Sequence, residues 1–317
     1  MSGTSVVGHR VAVIDLGTNT FNLLLVDVDG PGRMEEVGFE KVPVKLGREG
    51  LQQGLLSPAA QERALQALHH YREVIDRTGA ETVLAYGTSA LRTATNTPQL
   101  LEKIRKATGI EVQVISGDEE ARLIYLGVTR SLQPDGVFMI LDIGGGSNEF
   151  IIAEPSSGPL WQKSFPLGMA RIIERFPLSD PAKAGEVLQL EDFFDGELQP
   201  LWEAVREYRP VHLVGASGTF DTLHDVAAAR RLLPATDVPA VEMPLPVFRE
   251  VRDQLVASTT REREKMKGME PFRVEMIVPA TIFVNFILTK TNIRRLSLSR
   301  YALKEGAVVD WLMRQQH

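Results

Sequence analysis

Apolar positions in the first half of the chain follow two different periods. Short continuous apolar runs predict buried strands, and apolar residues three and four positions apart predict amphipathic helices. Because strands and helices alternate, we expect an α/β domain with a mixed sheet. The predicted strands lie at residues 11–15, 21–28, 34–44, 82–86 and 112–115, and the predicted helices at 57–79, 97–108 and 118–129.

The second half begins the same pattern again. Its predicted strands lie at residues 137–142, 150–153, 160–165 and 211–214, and its helical regions at 181–208, 246–258, 272–289 and 300–313. Turn residues at 134–136 precede this half and mark the predicted junction. We therefore expect one domain at 1–133 and another at 134–317. We also expect a C-terminal helix at about 300–317 to pack back on the first domain, with no additional helical domain.

One segment of the sequence occurs twice. Residues 13–20 recur at 140–147, each copy joining an apolar run that contains an Asp to a glycine turn, a hydroxyl and a second apolar run. This pattern is typical of a β-hairpin. Amide groups in a tight turn bind anions, and a neighbouring carboxylate can hold a hard cation. A single Asp before a glycine is ordinary turn chemistry, but the repetition favours a phosphate–metal site built from two hairpins.

The candidate residues of that site follow from the repeat. Asp15, Asp142 and Glu149 are the metal candidates, since Glu149 lies on the same strand face as Ser147. The phosphate-binding candidates are Gly17, Thr18, Asn19 and Thr20 in the first turn and Gly144, Gly145, Gly146 and Ser147 in the second.

A second, weaker repeat relates residues 84–91 to residues 213–220. In both copies an apolar strand runs through a Gly/Ser/Thr loop into a helix, where free N–H groups and the helix dipole favour an anion. Ser89, Ser217, Gly218 and Thr219 are therefore further phosphate-binding candidates. Arg92 is a catalytic candidate because a guanidinium neutralises phosphate charge; the alternative is a surface ion pair.

Three successive acids, Asp118, Glu119 and Glu120, open the predicted helix at 118–129. In isolation they indicate helix capping and favourable interaction with the helix dipole. Hydrolysis of a phosphoanhydride also needs a carboxylate that orients water and accepts its proton. The pattern alone does not distinguish the three acids.

Composition excludes several classes of protein. The net charge of −6, with acids and bases well mixed, argues against a nucleic-acid partner. The chain has no cysteine, and its six histidines lack metal-ligand spacing, so zinc fingers and thiol catalysis are excluded. No signal peptide or apolar run long enough to span a membrane is evident, so we expect a cytoplasmic protein with no membrane partner.

The run ISGDEEARLIY at residues 115–125, together with both repeats, resembles the exopolyphosphatase/guanosine pentaphosphate phosphatase family of the actin–Hsp70–sugar-kinase superfamily. The similarity extends over nearly the whole chain. It implies two duplicated actin-like (ribonuclease H-like) domains, with mixed sheets flanked by helices and a cleft between them. It also implies an Mg²⁺-dependent hydrolase that releases orthophosphate from polyphosphate or another phosphoanhydride. Mn²⁺ is the alternative divalent ion, K⁺ a further candidate cation, and a homodimer is expected.

The resemblance also implies roles for individual residues. Glu120 matches the catalytic carboxylate, and Asp142 and Glu149 match acids associated with Mg²⁺. Positions lining the phosphate cleft are matched by Asp15, Asn19 and Arg92. The glycine turn at 144–147 and the loop at 217–219 match phosphate-binding loops.

The chain departs from the family pattern at Lys45, Asn148 and Asp221, where Arg, Thr and a basic residue are common. The sequence printed here ends at His317, before the helical domain of long members, which favours short polyphosphates. A guanosine pentaphosphate phosphohydrolase is the main alternative. A sugar or acid kinase and a non-catalytic phosphate sensor are the others.

Overall fold

The computed structural model describes residues 8–29, 32–48, 50 and 53–315. It divides into two compact units. The first comprises the chain up to residue 127 together with 144–146 and the residues from 303 onward, and the second comprises 128–143 and 147–302. The domain limits expected from the sequence, 1–133 and 134–317, stay a prediction.

Eleven strands occur within the described residues. They are β1 (His9–Leu16), β2 (Phe21–Asp29), β3 (Arg33–Val42), β4 (Thr82–Gly87), β5 (Val112–Val114), β6 (Phe138–Ile143), β7 (Asn148–Glu154), β8 (Gly158–Phe165), β9 (His212–Ala216), β10 (Ala240–Glu242) and β11 (Arg295–Ser299).

Twelve α-helices occur in the same part of the chain. They are α1 (Pro58–Thr78), α2 (Ser89–Thr93), α3 (Thr97–Thr108), α4 (Gly117–Ser131), α5 (Met169–Arg175), α6 (Ala184–Glu197), α7 (Gln199–Tyr208), α8 (Gly218–Ala229), α9 (Leu245–Ala257), α10 (Thr260–Arg263), α11 (Ile277–Thr291) and α12 (Leu303–Gln315).

The first unit contains a five-stranded sheet in the order β3-β2-β1-β4-β5. β1 is antiparallel to β2 and parallel to β4, so the hairpin and the following crossover share one central strand. On one face the sheet buries apolar side chains against α1 and α3, with Tyr71 donating a hydrogen bond to the carbonyl oxygen of Phe21 at 2.7 Å. On the other face α12 packs Ala307, Val308 and Leu312 against β1 and β2.

The second unit contains a six-stranded sheet in the order β10-β11-β9-β6-β7-β8. Again the central strand, β6, is antiparallel to the next strand and parallel to the crossover strand, β9. The order β8-β7-β6-β9-β11 therefore repeats β3-β2-β1-β4-β5, with β10 added at the edge. Its core is rich in aromatic side chains, including an edge-to-face pair of Phe194 and Phe283 with ring centroids 4.6 Å apart.

Several helix ends lie where local signals place them. α1 begins after Ser57, whose hydroxyl accepts a hydrogen bond from the amide of Ala60 at 3.1 Å, and it ends at Gly79, whose φ of 71° suits glycine. α3 covers the residues predicted for it, 97–108. No helix in the described part of the chain is both long and apolar enough to cross a membrane.

Other elements differ from the sequence predictions. The helical region predicted at 181–208 is two helices that break at Leu198, where Pro200 favours a new helix start. The helix predicted at 272–289 begins only at Ile277, after a short 3₁₀ turn. The sequence patterns missed α5, α10, β10 and β11, because all four are seven residues or shorter and give too few positions for a clear period.

Candidate functional site

The first glycine turn joins β1 to β2. The amide of Gly17 donates a hydrogen bond to the carbonyl oxygen of Thr20 at 3.1 Å, and a Cβ at Gly17 would lie only 2.8 Å from that oxygen. Glycine is therefore required for the turn to close. The side chain of Thr18 is buried, and its hydroxyl oxygen has no hydrogen-bond partner among the described residues. A buried hydroxyl without a partner is a suitable ligand for a phosphate oxygen.

The second glycine turn lies against the first, within the first unit. A Cβ at Gly146 would lie 2.5 Å from the Thr18 hydroxyl oxygen and 2.6 Å from that of Ser89. A Cβ at Gly145 would lie 2.9 Å from the side chain of Asn19. The structure thus brings together two predicted phosphate-binding turns and Ser89. The glycines leave room for two hydroxyl groups that larger residues would displace.

The first hairpin pairs an acid with an amide. Asp15 lies directly opposite Asn22 in the antiparallel register and accepts a hydrogen bond from its amide nitrogen at 3.0 Å. Burial raises the pKa of Asp15 to about 6, although the Asn22 hydrogen bond and the positive charge of Lys304 oppose the shift.

The second hairpin pairs two acids. Asp142 lies directly opposite Glu149 in the register of β6 and β7, with side chains that are buried in both cases. Glu149 also accepts a hydrogen bond from the Ser164 hydroxyl at 2.7 Å. Directly opposed side chains have Cβ atoms about 5 Å apart. Two buried carboxylates at that spacing repel each other unless a cation or a proton is shared.

The loop after β9 has a strained backbone. Ser217 has φ 72° and ψ −177°, a conformation that is nearly confined to glycine. The next residue, Gly218, lies so close to the guanidinium of Arg273 that a Cβ there would overlap it. Thr219 is buried beside them. Strain of this kind persists at functional sites, where it aims backbone groups at a ligand.

Arg273 is a residue that the sequence analysis missed. Burial lowers its pKa, while Glu270, Asp221 and Asp142 act in the opposite direction. Its Nε atom is buried and has no hydrogen-bond partner in the described part of the chain. A partly unsatisfied guanidinium beside a phosphate-type loop is suited to an anion. The only signal in the sequence was an arginine just before a long apolar helix.

The structure distinguishes the three acids at the start of α4. Asp118 is exposed. Glu119 accepts two hydrogen bonds from Arg122, at 2.7 and 2.8 Å, and this guanidinium lowers the pKa of Glu119. Glu120 is buried, with only 7% of its surface exposed. Asp118 is exposed and Glu119 is paired with Arg122, whereas Glu120 is buried. Glu120 is therefore the acid suited to proton transfer in a site shielded from water.

Arg92 orients Glu120. Its Nη1 atom donates one hydrogen bond to Glu120 at 2.9 Å and another to the carbonyl oxygen of Ile115 at 3.0 Å. Arg92 therefore forms an ion pair, as the alternative interpretation expects, but with a buried carboxylate; its role in neutralising phosphate stays a prediction. The guanidinium both fixes the carboxylate and leaves N–H groups for an anion.

The predicted site residues lie in both units. Asp15, residues 17–20, Ser89, Arg92, Glu120 and 144–146 belong to the first, and Asp142, Ser147, Glu149 and 217–219 to the second. Among the residues that the structure describes, no three His, Asp or Glu side chains form a group able to hold a metal ion. The three-acid metal site stays a prediction, and the Asp142–Glu149 pair is the part with a geometric basis.

Two α/β units of repeated topology, two glycine turns packed together within the first unit and a buried glutamate held by an arginine are features suited to an enzyme that acts on phosphate. The chain belongs to the Ppx/GppA phosphatase family, whose model matches residues 25–315. The predicted fold class and family are thereby confirmed, and the chain is a phosphohydrolase.

Comparison with known proteins gives closely related folds and sequences. The crystal structure of an exopolyphosphatase from Cytophaga hutchinsonii matches with a TM-score of 0.93 and 37% identity, over 96% of this chain and 98% of that one. Exopolyphosphatase 1 of Mycobacterium tuberculosis is 27% identical over 95% of this chain and 87% of its own length. The guanosine-5'-triphosphate,3'-diphosphate pyrophosphatase of Aeromonas salmonicida is 28% identical over 95% of this chain and 59% of its own length.

Proposed function

We propose that this chain is an Mg²⁺-dependent exopolyphosphatase that releases terminal orthophosphate from inorganic polyphosphate. The observation that carries the proposal is the buried Glu120 held by Arg92 at 2.9 Å. Hydrolysis needs a group that positions water and accepts its proton, and a buried carboxylate suits this role. The relatives named as exopolyphosphatases support polyphosphate as the substrate.

The first unit supplies the groups for the water and the terminal phosphate. Glu120 orients a water molecule and takes its proton as the water oxygen bonds to the terminal phosphorus. The bridging P–O bond then breaks, and the shortened chain leaves with the electron pair. Arg92, the Thr18 and Ser89 hydroxyls and the turn amides neutralise the phosphoryl oxygens.

The second unit supplies the residues suited to the divalent ion. Asp142 and Glu149 are hard oxygen ligands placed opposite each other, and Mg²⁺ is commonly held by one or two carboxylates together with substrate phosphates and water. When bound, Mg²⁺ neutralises charge on the phosphate oxygens. A third protein acid is not required for such a site.

The exchange Glu120→Gln tests the proposal. It keeps the size and most hydrogen bonds but removes the base, so we expect kcat for phosphate release to fall by about 10²–10⁴. The matched control is Glu119→Gln on the same helical turn, which removes a surface ion pair with Arg122 and leaves kcat within a few-fold. Glu120→Gln retaining wild-type turnover would overturn the role of this carboxylate.

Guanosine pentaphosphate is the second candidate substrate, because one relative is named for that activity. Phosphate release should be compared for polyphosphates of graded length and for guanosine pentaphosphate, with and without Mg²⁺. A higher kcat/KM for the nucleotide would reverse the order of the two functions.

Three further parts of the proposal concern ions and assembly. We expect Mg²⁺ to support more activity than Mn²⁺ and K⁺ to act as an accessory cation. We also expect a homodimer. Phosphate release with each cation and sedimentation of the purified chain measure these properties directly.

A further inference from the structure

A short loop after β3, residues 44–47, holds the first glycine turn. The amide of Lys45 donates a hydrogen bond to the carbonyl oxygen of Asn19 at 2.7 Å. The amide of Gly47 donates another to the carbonyl oxygen of Thr18 at 3.1 Å. The loop and the turn both belong to the first unit. Two successive carbonyl groups of the turn are therefore fixed by one loop.

These two carbonyl groups determine where the turn amides point. A trans peptide group is planar, and its C=O and N–H bonds point in opposite directions. Because the carbonyls of Thr18 and Asn19 face the loop, the amides of the residues that follow them, Asn19 and Thr20, face the opposite side. Amides of this kind bind an anion in a tight turn. The loop therefore sets the direction of the donors that meet a phosphate.

The loop has a backbone conformation that a side chain disfavours. Lys45 has a φ of 48°, in the left-handed region, which is uncommon for residues other than glycine. On either side of it the side chains of Val44 and Leu46 are buried in the core of the first unit. A conformation of this kind persists only where the surrounding structure fixes it. Contacts from the rest of the first unit must therefore hold Lys45 in place.

Arg63 makes such contacts from α1. Its Nε atom donates a hydrogen bond to the carbonyl oxygen of Val44 at 2.7 Å, and its Nη2 atom donates one to the carbonyl oxygen of Lys45 at 3.0 Å. Because the guanidinium is planar and its N–H groups are fixed relative to one another, it holds both carbonyls in one orientation. A series of hydrogen bonds thus joins Arg63 to the loop and the loop to the turn.

We propose that Arg63 is a positioning residue for hydrolysis, an inference that rests on the proposed function. Arg63 holds Lys45 in its left-handed conformation, and residues 44–47 then aim the amides of Asn19 and Thr20 at the terminal phosphate. Arg63 acts through the loop and not by contact with the substrate. An arginine that contributed only to folding would leave the affinity of the folded enzyme for phosphate unchanged.

The exchange Arg63→Met tests the inference, because it keeps much of the apolar stem and removes both donors. We expect KM for polyphosphate to rise by about five-fold or more, because the turn no longer meets the terminal phosphate in the correct geometry. Phosphate release at graded substrate concentrations and saturating Mg²⁺ measures this change. Partial unfolding alone would reduce the active fraction, which lowers the apparent kcat and leaves KM as it was. An unchanged KM in Arg63→Met would overturn the inference.

The matched control is Arg10→Met. Arg10 lies in β1, pairs with Asp27 and donates a hydrogen bond to the carbonyl oxygen of Thr78 at 2.8 Å, so it also joins α1 to the sheet. Thr78 is the last residue of α1, about 22 Å from Arg63 along the helix axis. Arg10→Met should lower the melting temperature and leave KM for polyphosphate at its wild-type value. A rise in KM equal to that of Arg63→Met would overturn the specific role of Arg63.

Rescue at residue 45 tests the route by which Arg63 acts. Glycine adopts the left-handed conformation without strain, whereas alanine does not. Both Lys45→Gly and Lys45→Ala remove the lysine side chain, so their difference reports the backbone conformation. Combined with Arg63→Met, Lys45→Gly should give a KM for polyphosphate about three-fold or more below that of Lys45→Ala. Equal KM values in the two double variants would overturn the action through Lys45.

Binding of tripolyphosphate separates this inference from the proposed function. Calorimetric titration with Mg²⁺ uses the whole chain carrying Glu120→Gln, which suppresses turnover. Arg63→Met should weaken binding in this background, and Arg10→Met should not. If wild type released no phosphate from polyphosphate, the proposed function would be contradicted and the same titration would decide the role of Arg63. No binding with Arg63 present, or equal dissociation constants with and without Arg63→Met, would overturn that role.

Discussion

The two hairpins share a topology but differ in the residue opposite the central Asp. In the first, Asp15 lies opposite Asn22 and accepts its hydrogen bond; in the second, Asp142 lies opposite Glu149. An acid–amide pair is satisfied without an ion, whereas an acid–acid pair needs positive charge, from a proton, a metal ion or a guanidinium such as that of Arg273, with which Asp142 interacts. The two hairpins therefore differ in their demand for positive charge, and the second is the one in which we propose a divalent ion.

The turns of the two hairpins differ in a complementary way. The first carries the side chains of Thr18 and Asn19, and the second has Gly145 and Gly146 at the equivalent positions. These glycines lie against the side chains of the first turn and Ser89. Two identical turns with side chains would overlap. Divergence after duplication is thus required for the two turns to pack.

The largest expected effect comes from changing the Asp142–Glu149 pair into an acid–amide pair like Asp15–Asn22. In Glu149→Gln the acid–acid pair becomes an acid–amide pair, and we expect kcat/KM at fixed Mg²⁺ to fall on the order of 10³-fold. Titration of phosphate release with Mg²⁺ measures the change. The control Ser164→Ala removes only the hydroxyl that binds Glu149 and should cost about 10-fold. A variant with wild-type Mg²⁺ dependence would contradict the assignment of this pair.

The second prediction concerns Asp15. Because burial raises the pKa of this acid from 3.8 to about 6, the folded state favours its protonated form. The contribution of Asp15 to the free energy of unfolding is therefore largest below pH 3.8, where the carboxyl is protonated in both states. It is lost as the pH rises to about 6, where the carboxyl ionises in the unfolded state before the folded one. Asp15→Asn cannot ionise, so it should increase the free energy of unfolding by up to about 3 kcal/mol above pH 6.

Urea denaturation in EDTA at pH 4.5 and pH 7.5 measures this effect. The increase in the free energy of unfolding caused by Asp15→Asn should be clearly larger at pH 7.5 than at pH 4.5. Phosphate release by this variant should decline, because a carboxylate in the turn is lost. Asp29→Asn is the matched control, since that acid is exposed at the far end of the same hairpin. A gain of equal size at both pH values would show that the pKa of Asp15 is not the cause.

The third prediction tests the packing of the two turns. Gly146→Ala places a methyl group against the hydroxyls of Thr18 and Ser89 and should lower the free energy of unfolding by about 2 kcal/mol. Thermal unfolding and phosphate release should both decline. Gly196→Ala, in a helix with open space around it, should instead stabilise by about 0.5–1 kcal/mol. If Gly146→Ala leaves the free energy of unfolding unchanged, the two turns do not pack closely.

The smallest prediction compares the two crossover loops. Ser217 has a backbone conformation favoured by glycine, whereas its counterpart Thr88 has an ordinary φ of −107°. Ser217→Gly should therefore stabilise by about 1 kcal/mol, and Thr88→Gly should destabilise by a similar amount. Chemical denaturation of both variants measures the change in the free energy of unfolding. If both exchanges stabilise, or both destabilise, the two loops do not differ in backbone strain.

The sequence was informative where the signal was local. Apolar runs around Asp15 and Asp142 and the glycines after them predicted both hairpins, because pairing across a short turn involves neighbouring residues. The bounds of α3 were predicted for the same reason. In contrast, β11 was missed, since Ser297 and Ser299 suggest a polar segment although both are buried in the sheet.

Long-range contacts could not be predicted from the pattern. The pattern of three acids does not separate Glu120 from Asp118 and Glu119, and only the family resemblance pointed to Glu120. Burial and the hydrogen bond from Arg92 distinguish this acid once α2 and α4 have come together. Arg273 was missed for a similar reason, because it meets Gly218 across 55 positions of chain. Such contacts are properties of the tertiary structure.

The return of α12 to the first unit has a consequence for biosynthesis. Val11, Val13 and Val26 leave the ribosome early, but α12, the helix that covers them, is made only after residues 128–143 and 147–302 of the second unit. An apolar sheet face therefore stays uncovered while the second unit is translated and becomes available to fold. We expect a nascent chain of this topology to bind chaperones until α12 emerges.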